Sequence, residues 1–244
     1  MSTDVSNGAA IEAAIDAAEV TLPGDGTTLR AHLARPAGDG PYPAIVVIHE
    51  IVGLNDNIRD IAERFAAEGY VALAVDLFAG RSRALCMARF MSGLLWNSLQ
   101  HQGIRDLRRT LDWLAARPEV AGDRVGAIGF CMGGSFAIAW AAGDDRLKAV
   151  APFYAQNPRP FTAVERLCPV VGSYPERDFT AAAGRRLDQA LDVAEVPHDI
   201  EVYPGAKHSF FNDQNPRSHD AAASEDAWRR TLAYFERYLR PGTG

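Results

Sequence analysis

In Val125-Gly126-Ala127-Ile128-Gly129-Phe130-Cys131-Met132-Gly133-Gly134 a short apolar run passes into a helical pattern through a turn rich in glycine. Val125 to Phe130 has the composition of a strand buried on both faces, and Met132 to Ala142 continues as a helix. Between them the sequence reads G-x-C-x-G, the nucleophile elbow with cysteine in place of serine. The spacing has a steric reason. The residue at the turn is strained, and side chains two positions before and after it would collide with neighbouring backbone. The same turn sets the sulfur at a helix N-terminus, whose N–H groups and partial charge favour thiolate over thiol. The plainer alternative is a buried structural cysteine between close-packed glycines. A dinucleotide-binding loop fits worse, because these glycines do not spell G-x-G-x-x-G.

Outward from this stretch, strands and helices alternate. Upstream, extended stretches at Glu19–Leu22 and Thr28–Arg35 flank the turn signal Pro23-Gly24-Asp25-Gly26, followed by the apolar run Ala44–His49. A helix over Asn57–Glu68 and a strand over Val71–Val75 complete one βαβ step, and a further helix covers Gln102–Arg117. Downstream, strands are predicted at Lys148–Phe153, Pro169–Tyr174 and Asp199–Tyr203, with helices over Thr180–Ala194 and Ala223–Leu239. The pattern predicts an α/β fold with a mostly parallel sheet covered by helices on both faces, its chemistry in loops beyond the carboxyl ends of the strands.

The 244 residues contain no repeat, low-complexity tract or long linker, which predicts one domain over 19–244 behind a tail or short helix at 1–18. Lys plus Arg number 25 against 31 for Asp plus Glu, a net charge of −6, so nucleic acid is not an expected partner. No run of about 18 apolar residues marks a membrane span. Cys86, Cys131 and Cys168 are odd in number and form no C-x-x-C pair, which argues against a disulfide framework and for a reducing cytoplasm. The Ala-rich N-terminal stretch lacks the basic region of a secretion signal.

A nucleophile needs a base, and the base an orienting group. Asp178 follows strand Pro169–Tyr174 and His208 follows strand Asp199–Tyr203, so both fall on the rim that carries Cys131. Asp178 is also a candidate cap for the helix beginning near Thr180. His32, His101, His198 and His219 sit in contexts typical of structural or exposed histidines. Glu50 ends a buried strand, where an acid is costly unless it is used, by a nearby Arg or Lys or by the thiol. The loop from His49 supplies the second oxyanion donor that an elbow requires, so the donors are the backbone N–H groups of Ile51 and Met132.

Taken together, His49-Glu50-Ile51-Val52-Gly53-Leu54-Asn55, Asp76-Leu77-Phe78, Gly129 to Gly134, Gly172-Ser173-Tyr174 leading to Asp178, and Tyr203 to Phe210 resemble the dienelactone hydrolase (carboxymethylenebutenolidase) family, from about Val20 to Leu239. The resemblance implies the α/β-hydrolase fold and a Cys131, His208, Asp178 triad, with Glu50 meeting the resting thiol and helping to ionise it when substrate binds. It implies hydrolysis of a lactone or small ester through an acyl thioester, without metal or organic cofactor. Two readings stay open beside it: a thioesterase or acyl transferase with the same triad, and a hydrolase-fold protein that binds a small molecule without turnover. No more than a monomer or small homo-oligomer is expected.

Departures bear on substrate. Family members that prefer dienelactone are similar in setting one arginine shortly after the D-L-[YF]-A stretch and another four residues past the histidine. Here Gly80 follows Ala79, with Arg81 and Arg83 close behind, and Asn212 stands where the second arginine would be, so a neutral lactone or ester is as good an expectation. Segment 80–100, with Trp96, reads as either a lid over the thiol or a helix pair packed on the core. Candidate substrate contacts are Arg81, Arg83, Trp96, Phe210 and Asn212.

Overall fold

The computed structural model describes residues 14–240, apart from 80, 83, 89–91 and 93–96. Among them eight strands form one sheet: β1 (Ile15–Pro23), β2 (Thr28–Pro36), β3 (Tyr42–Ile48), β4 (Val71–Val75), β5 (Val120–Phe130), β6 (Leu147–Phe153), β7 (Val170–Arg177) and β8 (His198–Lys207). Their spatial order is β1-β2-β4-β3-β5-β6-β7-β8. β1 and β2 pair antiparallel, as do β2 and β4, and the pairs from β4 through β8 are parallel.

The central strands are apolar on both sides because both sides are covered. Successive residues of β3 alternate between the two faces: Val46 and Ile48 join one core, Ile45 and Val47 the other. The first core is closed by α2 (Gln102–Ala115), α3 (Met132–Ala141) and α4 (Ala181–Val193), the second by α1 (Asp56–Ala67) and α5 (Ala221–Leu239). α1 begins where Asn55 caps it, its side chain accepting from the Ile58 N–H at 3.1 Å. α3 is buried along its whole length, as an all-apolar helix must be. No helix among the described residues is long and apolar enough to cross a membrane.

Three expectations change in detail. Residues 15–18, expected at the end of a tail or short helix, belong to β1, where Ile15 pairs with Pro36 and Ala18 with Leu33. The first thirteen residues of that expectation lie outside the described ones. β7 and β8 run further than the apolar signal, to Arg177 and Lys207, and so deliver Asp178 and His208 directly at the sheet's carboxyl edge. Of segment 80–100, residues 84–88 are helical and Ser98–Gln100 form one 3₁₀ turn.

Candidate active site

Cys131 stands between β5 and α3 with φ 54° and ψ −112°, a backbone conformation that costs a non-glycine residue about 1–3 kcal/mol. Packing enforces it. The Cys131 N–H donates to the Phe153 carbonyl at 3.0 Å, and its own carbonyl accepts from the Ser135 N–H at 3.1 Å. A side chain on Gly129 would run into the Gly133 backbone, and one on Gly133 into the carbonyls of Ile48 and His49. These two glycines therefore let α3 approach β3 and β5 closely enough to form the elbow.

The expected acid and base meet. Asp178 Oδ2 is hydrogen-bonded to His208 Nδ1, with the Asp178 side chain almost fully buried and the His208 ring about one-third exposed. The same carboxylate oxygen accepts from the Thr180 hydroxyl at 2.9 Å, which fixes it against rotation. Asp178 thus orients a histidine rather than capping α4; the residue at that cap, Thr180, makes no capping side-chain bond. The His208 ring stacks on Phe179 at 5.5 Å and packs in a tilted contact against Tyr154 at 5.0 Å between centroids.

Glu50 is buried, and its partners are hydroxyl groups rather than the Arg or Lys considered for it. Oε1 accepts from Ser209 Oγ at 2.9 Å, and the Tyr154 hydroxyl is hydrogen-bonded to the same carboxyl group. Cys131, Tyr154 and Ser209 all adopt positive φ, at 54°, 41° and 60°, so three strained residues converge here. His49 stabilises the loop from behind. Its Nδ1–H donates to the Glu50 carbonyl at 2.6 Å and its Nε2 accepts from the Leu77 N–H at 3.0 Å, which ties the ends of β3 and β4 together.

Opposing electrostatic influences act on the thiol. Burial, followed by the Glu50 charge, pushes the Cys131 thiol up to about 12, against an ordinary value of 9.0. The Met132 N–H opposes this by hydrogen-bonding the sulfur, yet does not overcome it. The helix N-terminus favours thiolate, but desolvation and a like charge outweigh it, so the resting sulfur is a thiol. The Tyr154 phenol is raised well above its usual range, first by burial and then by Glu50.

Cys131 opens into a cavity of about 730 Å³ lined also by Ile51, Met132, Ser135, Tyr154 and Phe179. Ile51 and Met132 thus reach the reacting face, and Met87 brings segment 80–100 to it. Of the candidate substrate contacts, Arg83 and Trp96 lie outside the described residues. Arg81 does not line the cavity: its guanidinium pairs with buried Asp106 at 2.8 Å and closes the loop after β4 onto α2. Phe210 is fully buried in an aromatic cluster with Phe153, Tyr154 and Tyr203. Asn212 accepts from the Gln214 N–H at 3.0 Å in a turn beyond the cavity wall. The sequence reading missed Tyr154, Arg159 and Arg186 in the wall, and the contact from Ser209 to Glu50. For Tyr154 and Ser209 a signal existed, since one follows β6 at the carboxyl edge and the other adjoins His208.

Residues 29–239 match the model of the dienelactone hydrolase family. A provisionally named carboxymethylenebutenolidase of Saccharolobus solfataricus is 31% identical over 258 residues, covering 90% of this chain and 98% of the relative. One from Escherichia coli (strain K12) is 33% identical, covering 92% and 88%. Among solved structures, a provisionally named dienelactone hydrolase from Klebsiella pneumoniae superposes with a TM-score of 0.81 at 30% identity, covering 92% of this chain and all of that one. An esterase from Pyrobaculum calidifontis, at 18% identity and TM-score 0.68, shares the α/β-hydrolase fold. The chain belongs to the dienelactone hydrolase family of lactone and ester hydrolases.

Proposed function

We propose that this protein cleaves lactones or small carboxylic esters with Cys131 as nucleophile, through an acyl-thioester intermediate. The observation that carries the reading is the Asp178–His208 pair, whose ring contacts two residues, Tyr154 and Phe179, of the cavity into which Cys131 opens. As substrate enters, the thiol proton passes by way of the Glu50 carboxylate to His208, and sulfur attacks the carbonyl carbon. The N–H groups of Ile51 and Met132 hold the resulting oxyanion, each such donor being worth about 10²–10³ in rate. The intermediate collapses by breaking the carbon–oxygen bond, and His208 gives its proton to the leaving alcohol oxygen. Water, deprotonated by His208, then attacks the thioester, and the expelled sulfur recovers the proton.

A half-buried, protonated thiol at rest suits this order of events. It resists adventitious alkylation and oxidation, and is ionised only when the developing oxyanion accepts the charge. Steady-state hydrolysis of p-nitrophenyl acetate, p-nitrophenyl butyrate and dienelactone tests the reading. Cys131→Ala is expected to lower turnover by at least about 10³, and Cys131→Ser to retain weak ester hydrolysis. Undiminished turnover in Cys131→Ala would remove the cysteine from the mechanism.

A further inference from the structure

Phe179 follows Asp178 and precedes Thr180, whose side chains are bonded to each other, yet its own ring is 71% exposed. The backbone that presents it is tied on both sides. The Asp178 carbonyl accepts from the Ala181 N–H at 3.2 Å, and the Thr180 carbonyl from the Gly184 N–H at 3.0 Å, as α4 begins. The ring lies nearly parallel to that of His208, at 15° between planes. A single exposed apolar side chain needs no explanation. Here, however, Ile51 lines the same cavity from the loop after β3 at 49% exposed, and Val52 beside it is 47% exposed. Two loops, one carrying the acid and the other an oxyanion donor of the mechanism above, thus expose apolar side chains at one cavity. From Phe179 the lining continues through Ala182 and Ala183 of α4 and includes Phe161. The alanines leave room beside the ring. The whole cavity, about 730 Å³, falls within the range of pockets that enclose drug-sized ligands.

The chemistry says which part of a substrate meets Phe179. The carbonyl oxygen turns to the N–H groups of Ile51 and Met132, and the leaving oxygen turns to His208, which protonates it. His208 Nδ1 is taken by Asp178, so Nε2 serves that oxygen. The group attached to the leaving oxygen therefore comes beside the rings that pack on His208, and of these Tyr154 is buried whereas Phe179 is exposed. We propose that Phe179 is a specificity-determining residue that receives the leaving alcohol, and that the preferred substrate is an open-chain ester of an apolar alcohol, arylalkyl or alkyl, rather than of a small or polar one. This rests on the hydrolytic reading above and names its substrate class. Cleavage breaks the bond between the carbonyl carbon and the alcohol oxygen, that oxygen takes the proton carried by His208, and the acyl group stays on sulfur until water removes it. Covering the exposed ring with a second apolar group removes both from water, and two aromatic rings gain further from offset or edge contact. A ring already fixed by its neighbours loses little freedom on making that contact.

The test compares 2-phenylethyl butyrate with ethyl butyrate in wild type, Phe179→Ser and Phe179→Leu, following acid release by titration, 2-phenylethanol binding by calorimetry and folding by thermal unfolding. The two esters share an acyl group and have leaving alcohols of similar acidity, so they differ in apolar bulk and not in chemistry. In wild type the ratio of kcat/KM for the phenylethyl over the ethyl ester is expected to be at least about tenfold, the scale of burying an aromatic side chain, and to be carried mainly by KM. It should fall towards unity in Phe179→Ser and be partly kept in Phe179→Leu, with both variants folded because the ring is exposed. Any loosening of His208 slows both esters alike, so the ratio reports the alcohol contact. Equal kcat/KM for the two esters in wild type, or a ratio that folded Phe179→Ser leaves unchanged, would overturn the alcohol subsite while the thiol mechanism stands. If neither ester is hydrolysed, 2-phenylethanol binding that Phe179→Ser abolishes would support the subsite while the hydrolytic reading fails, and binding that it leaves intact would overturn the subsite as well. Wild type that neither hydrolyses the esters nor binds 2-phenylethanol would overturn both.

Discussion

Ser209 Oγ donates to Glu50 Oε1 at 2.9 Å, joining the loop after β8 to the loop after β3 beside the Cys131 thiol. The bond sets the orientation of a carboxylate whose charge is the second-largest influence on that thiol, after burial itself. A hydroxyl is a suitable partner. It fixes the carboxylate without pairing it to a cation as an arginine would. Ser209→Ala is therefore expected to lower kcat/KM for p-nitrophenyl butyrate by about tenfold, the cost of one hydrogen bond to a charged group. Ser209→Thr, which retains the hydroxyl, should recover part of it. If both variants lose activity equally, the effect is steric and the hydrogen bond is unimportant.

Arg81 gives a prediction of the opposite kind. Its partner Asp106 is completely buried and also accepts from the Asp25 N–H at 2.7 Å, so losing the guanidinium strands a charge in the core. Arg81→Met should destabilise the fold by about 3 kcal/mol in urea unfolding, the lower end of the range for breaking a buried pair. The preference between dienelactone and p-nitrophenyl butyrate should stay as in wild type. A changed preference with unchanged stability would restore Arg81 as a substrate contact.

Buried thiols also shape the alkaline limb of stability. Burial pushes both Cys131 and Cys168 up to about 12, against an ordinary 9.0. Below pH 9 both states hold these protons and the stabilising contribution is complete. Between pH 9 and about 12 the unfolded chain releases them and the folded chain does not, so stability falls as pH rises. Urea unfolding of wild type and Cys168→Ala across this window should show a shallower decline in the variant. Parallel curves would mean that Cys168 ionises as freely in the folded protein as in the unfolded one.

Most of the central sheet was legible because each buried strand advertises itself by an apolar run: the prediction of Val71–Val75 coincides with β4, and Met132 opens α3 as expected. Cys131, Asp178 and His208 were legible for a second reason, since the carboxyl ends of three strands necessarily share one rim. β1 was only half visible. It is an edge strand, exposed along most of its length, and its partners in β2 supply the pairing that its own residues do not announce. The thiol's protonation could not be read, because helix position is local whereas desolvation and the approach of Glu50 depend on the whole fold. Arg81 was misassigned and Arg186 was passed over. Both are charged residues in polar stretches, and only long-range packing shows that one pairs with Asp106 while the other lies over Phe161 in the cavity wall.

The most direct test of covalent catalysis is mass spectrometry of the intact protein, acid-quenched during turnover of p-nitrophenyl butyrate, followed by peptide mapping. The account predicts a butyryl adduct confined to the peptide carrying Cys131, absent from Cys131→Ala. Brisk turnover with no adduct at any time point, or an adduct that forms equally in Cys131→Ala, would contradict it.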